Sequence, residues 1–316
     1  MKTLLQKIAN LPVGAIATMV GLATLSNMYA SLGYSGIKHI TMFVGILVWA
    51  AAFLKLTVHF QTFKKEYANV VPASLYATFT MLTMILGSYI FTYSPAIGKG
   101  IWLTGVVLHF IHILIFTYRN VIKGVNKDTF VPTWFVTYNG FLVSAVVGTG
   151  MNMPGLLKII AIYGIIVFLM IIPFMIVRMI RRPLPAPLTQ TAAILLAPSS
   201  LCLVAYLNAF ATPNAIVVYG LYAAIFATLI FILINIPKFF KFEFHPGFAA
   251  LTFPLAIGVV ASTKMAGYLT AQGFEVFGLF VKEVSGIQLY ATTIIIGFVA
   301  YNFVRPVSYT HLTLPT

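Results

Sequence analysis

The sequence predicts an all-α, polytopic membrane protein: ten transmembrane helices arranged as five helical hairpins, with five equivalent helices able to surround one quasi-five-fold axis. Three observations carry that prediction. The 316 residues are 60% hydrophobic and only 8% charged, with a mean hydropathy of +1.00, far outside the soluble globular range. Apolar runs long enough to cross a hydrocarbon core of about 30 Å recur along the whole chain. Five prolines, Pro12, Pro72, Pro132, Pro198 and Pro254, lie 60, 60, 66 and 56 residues apart, and each opens an apolar run with many small residues. That period is too long for one crossing and about right for a helix pair.

Taken in order, the apolar runs place spans near 9–31, 37–61, 72–93, 96–118, 132–150, 155–179, 190–211, 214–236, 246–267 and 284–305. The first span carries no cleavage-site pattern behind Lys2 and Lys7. Alternate linkers, with both ends of the chain, collect thirteen Lys and Arg residues, including Lys64, Arg119, Arg178, Arg181 and Arg182; the opposite face has Lys38, Lys99, Lys158 and Lys282. By the positive-inside rule both termini are cytoplasmic. The net charge of +14 is then a matter of topology and of anionic inner-leaflet lipid, with no role for nucleic acid. The linkers are short and contain no soluble domain, so 1–306 reads as one transmembrane domain in the cell's inner (plasma) membrane. RRPLPAPL, 181–188, is a stiff joint, and 269–286 is long enough for a short interfacial helix. The last residues, 307–316, lose the membrane pattern and read as a non-native or disordered tail.

Odd-numbered spans are rich in Gly, Ala, Ser and Thr, which let helices approach closely or leave open volume beside an axis. Even-numbered spans are bulkier, as in IIVFLMIIPFMIV, and suit a lipid-facing ring. Prolines in or opening the odd helices remove backbone hydrogen bonds and kink them. A close-packed bundle with no pore accounts for the same composition.

All five acids, Glu66, Asp128, Glu243, Glu275 and Glu283, fall in linkers or at span ends. Cation-coupled transporters bury carboxylates at membrane depth, so a basic, acid-free interior fits anions better. Lys55 and Lys264 do lie within spans. Snorkelling accounts for either; alternatively Lys264 adds positive potential at a pore mouth. His109 and His112 share one face of the fourth span, where they serve interhelical hydrogen bonding or, as a rival, a haem-holding redox protein. The single cysteine, Cys202, excludes an intramolecular disulfide. No nucleotide loop or nucleophile–base pair is present, so an enzyme is not expected, nor is any cofactor or metal.

Three stretches bring in a resemblance. LPVGAIATMVGLATL (11–25), KLTVHFQTFKKEYANVVPASLYAT (55–78) and above all HPGFAALTFPLAIGVVASTK (245–264) are similar to the tellurite-resistance/dicarboxylate transporter family. The likeness spans 8–305. It implies a homotrimer in which each protomer has its own anion pore, lined by the odd helices and their prolines. A phenylalanine ahead of the ninth-helix proline plugs that pore in the family, and the matching residue is Phe253. Span seven departs from the pattern, with APSSLCLVAY where relatives often have glycine. The expectation is a passive or weakly gated channel for small anions, with Lys264 drawing them to the outer mouth. A carrier for C4-dicarboxylate (malate) or sulfite, coupled to protons through a histidine such as His109, is the alternative.

Overall fold

A computed structural model of the chain describes residues 4–305; the tail expected at 307–316 lies outside the described residues. Within them the regular backbone is helical and no strand forms. Among the described residues, nine helices are long and apolar enough to cross a membrane. They are α1 (Val13–Ser31), α2 (Ser35–Thr57), α4 (Val70–Phe91), α5 (Pro95–Ile122), α7 (Pro154–Arg181), α8 (Ala186–Ala209), α9 (Ala215–Phe239), α10 (Pro246–Ala271) and α11 (Glu275–Val304). A short helix, α3 (Phe60–Ala68), joins α2 to α4. A shorter apolar segment, α6 (Trp134–Val147), lies between α5 and α7.

The sorting of small and bulky residues becomes a sorting of depth. In α1, α4, α8 and α10, 67 to 78% of the membrane-length window is buried, against 17 to 39% in α2, α5, α7, α9 and α11. The second group turns Phe43, Leu114, Phe174, Leu233 and Ile294 outward, as helices facing hydrocarbon do. α6 belongs with the buried set: Trp134, Phe135, Thr137, Tyr138 and every residue from Asn139 to Ala145 are buried. The five buried segments also touch in sequence. α1 packs on α4, α4 on α6, α6 on α8 and α8 on α10, and α10 returns to α1. Each outer helix packs against the buried segment that precedes it.

Contact between neighbours is close enough to exclude a side chain. A Cβ built on Gly98 of α5 would stand 2.2 Å from the Phe91 amide nitrogen and 2.3 Å from its Cα, at the tight α4–α5 turn. Gly100, two residues on, faces open space.

Three details differ from the sequence reading. The 132–150 span is not one continuous helix. α-Helical turns at Trp134–Tyr138 and Val143–Val147 flank a 3₁₀ turn at Gly140–Leu142, and another follows at Thr149–Met151. Asn139 breaks it: its side-chain amide donates to the Gly164 carbonyl of α7 at 3.0 Å, and glycine follows it. The interfacial helix placed in 269–286 does not form as a separate element, because α11 runs unbroken from Glu275 for 30 residues. Lys55 does not snorkel; its side chain is 1% exposed.

Gly98→Val should lower the unfolding midpoint of the purified protein, by the equivalent of about 1–3 kcal/mol for overpacking. Gly100→Val should leave it unchanged, as followed by tryptophan fluorescence in detergent.

Candidate functional site

The five buried segments converge on a cavity of about 30 Å³, room for about one water molecule. Every one of them contributes to its wall: Ala17 from α1, Thr78 and Met81 from α4, Phe135 and Gly140 from α6, Ala197 and Leu201 from α8, and Ala250, Phe253 and Pro254 from α10. Thr78 supplies the one hydroxyl, and no charged group borders the space. The small side chains keep the space open, and the rings of Phe135 and Phe253 limit it.

Phe253 is held by its backbone. Gly21 of α1 lies against it so closely that a Cβ there would come within 2.7 Å of the Thr252 Cβ and 2.8 Å of the Phe253 nitrogen. The Thr252 hydroxyl donates to the Ala249 carbonyl at 2.7 Å, closing the turn before it. That turn ends a 3₁₀ stretch, Pro246–Leu251, and the α-helix begins at Thr252, with Pro254 as its third residue. His245 caps the 3₁₀ stretch by accepting from the Gly247 amide at 3.1 Å, and burial holds its imidazole below the usual pKa.

The other prolines have different settings. Pro198 repeats the arrangement of Pro254, third in an α-helical stretch (Leu196–Ala209) that follows 3₁₀ turns over Ala186–Leu195. Pro72 is third in Val70–Leu75, at the start of α4. Pro12 is the N-cap of α1, and Pro132 precedes α6, so neither kinks a helix from within. Of the five, Pro254 alone borders the cavity. Lys264 stands eleven residues after Phe253. That is about 16 Å further along α10 and within about 20° of the same face. This face becomes open along its length, from buried Phe253 through half-buried Val260 to exposed Lys264, Gly267 and Ala271. Among the described residues Lys264 has no ion-pair partner.

The two histidines of α5 are fully engaged. His109 donates from Nε2 to the Thr137 carbonyl at 2.9 Å, which leaves Nδ1 to accept from the Thr80 hydroxyl at 2.6 Å. His112 places Nε2 3.2 Å from the Thr137 hydroxyl and Nδ1 2.9 Å from the Tyr67 hydroxyl. Together they stitch α4, α5, α6 and α3, one layer behind the cavity wall at Gly140. All four ring nitrogens have partners, so this pair offers a haem iron no free ligand.

A second knot ties the ends of α2, α3 and α4. The Lys55 ammonium donates to both Glu66 oxygens, at 2.7 and 2.8 Å, and to the Leu11 carbonyl at 2.8 Å. The Tyr76 hydroxyl donates to the same carboxylate at 2.5 Å. The Arg119 guanidinium meets the carbonyls that end α3, Tyr67 at 2.9 Å and Ala68 at 3.1 Å; burial raises the Tyr67 phenol pKa, with Arg119 opposing. Sequence reasoning singled out Lys55, His109 and His112 and placed Glu66 among the linker acids, but it missed the pairing of Glu66 with Lys55 and the parts played by Tyr67, Tyr76, Thr80 and Thr137. Nothing in that linker announces that its one acid folds back on a lysine eleven residues earlier.

Lipid-facing outer helices around buried, small-residue inner segments define a multi-pass membrane protein. The chain belongs to the voltage-dependent anion channel family, SLAC1, whose sequence profile matches residues 10–305. No curated protein matches the chain. The protein is thus an anion channel or transporter of a membrane, a role with no call for catalysis.

Glu66→Gln should destabilise the protein by about 3 kcal/mol, because it strands a buried ammonium. Lys55→Met combined with Glu66→Gln should cost less than the two single changes together, as a double-mutant cycle of thermal unfolding would read.

Proposed function

We propose that the protein is a gated channel for small anions, with ten crossings paired as five hairpins and an axial pore inside the ring of α1, α4, α6, α8 and α10. The observation that carries this reading is the cavity to which all five buried segments contribute and which Phe253 borders. α6 is the fifth inner crossing, its broken backbone covered on all sides by protein. Both termini are cytoplasmic, as the basic residues require, and the membrane is the cell's inner (plasma) membrane. The homotrimer rests on the family resemblance.

Chemically, the axis offers an anion small side chains, one threonine hydroxyl and no carboxylate. Binding is weak, so an ion that enters also leaves. Phe253 blocks the narrowest section with an apolar ring that excludes water and ion together. Pro254 lacks an amide hydrogen, so the turn carrying that ring is short of one backbone bond and moves more easily. Lys264, three turns outward on the same face, raises the local anion concentration at the mouth without closing around the ion. Pro198 likewise lacks an amide hydrogen at the 3₁₀-to-α junction within α8, as does Pro72 in the first turn of α4; those at 12 and 132 start α1 and α6.

Phe253→Ala should increase chloride or nitrate flux into proteoliposomes severalfold, and unchanged flux from folded protein would remove the gate assignment. Lys264→Ala should lower conductance more at low ionic strength than at high, because salt screens the field it supplies. An equal loss at every salt concentration would make Lys264 a packing residue.

A further inference from the structure

We infer that the cleft between α5 and α7 binds an anionic phospholipid of the cytoplasmic leaflet, its acyl chain in an apolar trough and its phosphate against a basic rim. The cleft, about 830 Å³, lies away from the axis. Val121, Val167, Met170, Phe174 and Val177 line its length, and Lys127, Arg178, Arg181 and Arg182 stand together at one end. The trough from Val167 to Val177 is about 15 Å long at 1.5 Å per residue, one leaflet of a hydrocarbon core of about 30 Å. The four cations therefore fall at headgroup level. That this end is cytoplasmic rests on the topology in the proposed function.

The rim is short of negative charge. Arg178 is 8% exposed, yet its guanidinium donates only to carbonyls: Arg182 at 2.9 Å, Asp128 at 3.3 Å and Lys127 at 3.4 Å. Arg182 pairs with the Asp128 carboxylate at 2.6 Å, a contact exposed on both sides. One carboxylate thus faces four cations. Arg178 shares the Asp128 carboxylate with Arg182, which holds it directly; a buried guanidinium is costly when its counter-charge is so divided, and a phosphodiester oxygen at the cleft mouth supplies a second.

A free inorganic anion matches the rim but not the apolar trough below it, whereas a phospholipid matches both. A second copy of this chain is the poorer occupant. It would have to bring acids to the rim, and the chain has five in all, of which Glu66 and Asp128 are already paired.

Native mass spectrometry of protein extracted from vesicles of equal parts phosphatidylglycerol and phosphatidylcholine tests the site. The wild type should retain phosphatidylglycerol in preference. Arg181→Ala combined with Arg182→Ala should weaken that preference about thirtyfold, at roughly a kilocalorie per basic residue near the surface, with the unfolding midpoint unchanged. Val177→Trp, which fills the trough and leaves the charges alone, should reduce retention of both lipids. Equal retention of the two lipids by the wild type would overturn the assignment. So would a preference that survives the double alanine change, or disulfide-linked copies formed by Val177→Cys in a Cys202→Ser background. None of these readouts depends on ion flux, so they stand or fall separately from the channel reading.

Discussion

Backbone hydrogen bonding in hydrocarbon is the constraint on which this fold depends. A peptide group facing lipid has no water to bond, so irregular backbone survives at membrane depth only where protein covers it. The 3₁₀ turns at Gly140–Leu142, Ala186–Leu195 and Pro246–Leu251 all belong to the buried segments, and most of their residues are buried. The outer helices are long and regular, apart from Pro173 within α7, Pro237 near the end of α9 and a π turn that ends α5. Outer helices serve as solvent for the inner ones. That division lets the inner segments carry Pro, Gly and Asn at their breaks.

Side-chain polarity follows the same logic. Most buried hydroxyls return their hydrogen to their own helix, as Thr18 does to Gly14 at 2.9 Å and Thr83 to Phe79 at 2.8 Å. Polar groups that cannot do so pair across helices: the two histidines with Thr80, Thr137 and Tyr67, and Lys55 with Glu66. None of these paired groups lines the axial cavity, whose wall is apolar apart from Thr78. A cavity wall without charge is in keeping with a protein whose family conducts anions.

Much of this was legible in the amino-acid order. Composition separates inner from outer helices because small and bulky residues are sorted by span, and burial follows that sorting. TFP at 252–254 leads directly to the residue that borders the cavity. Other features leave no local trace. α6 looks like an ordinary span until Asn139 finds the Gly164 carbonyl, a contact between segments 25 residues apart. Lys55 looks like a snorkelling lysine because its partner sits in a polar linker, where an acid is unremarkable. The prolines look equivalent by spacing, yet Pro12 and Pro132 stand ahead of their helices while Pro198 and Pro254 sit at 3₁₀-to-α junctions. Periodicity locates an element; the neighbour that ends or bends it is chosen in three dimensions.

The central claim is that a charge-poor axis inside the buried ring passes anions. The most direct measurement is the reversal potential of current through the reconstituted protein in a planar bilayer with a potassium chloride gradient. The account predicts a reversal at the chloride equilibrium potential. A reversal at the potassium value would contradict it.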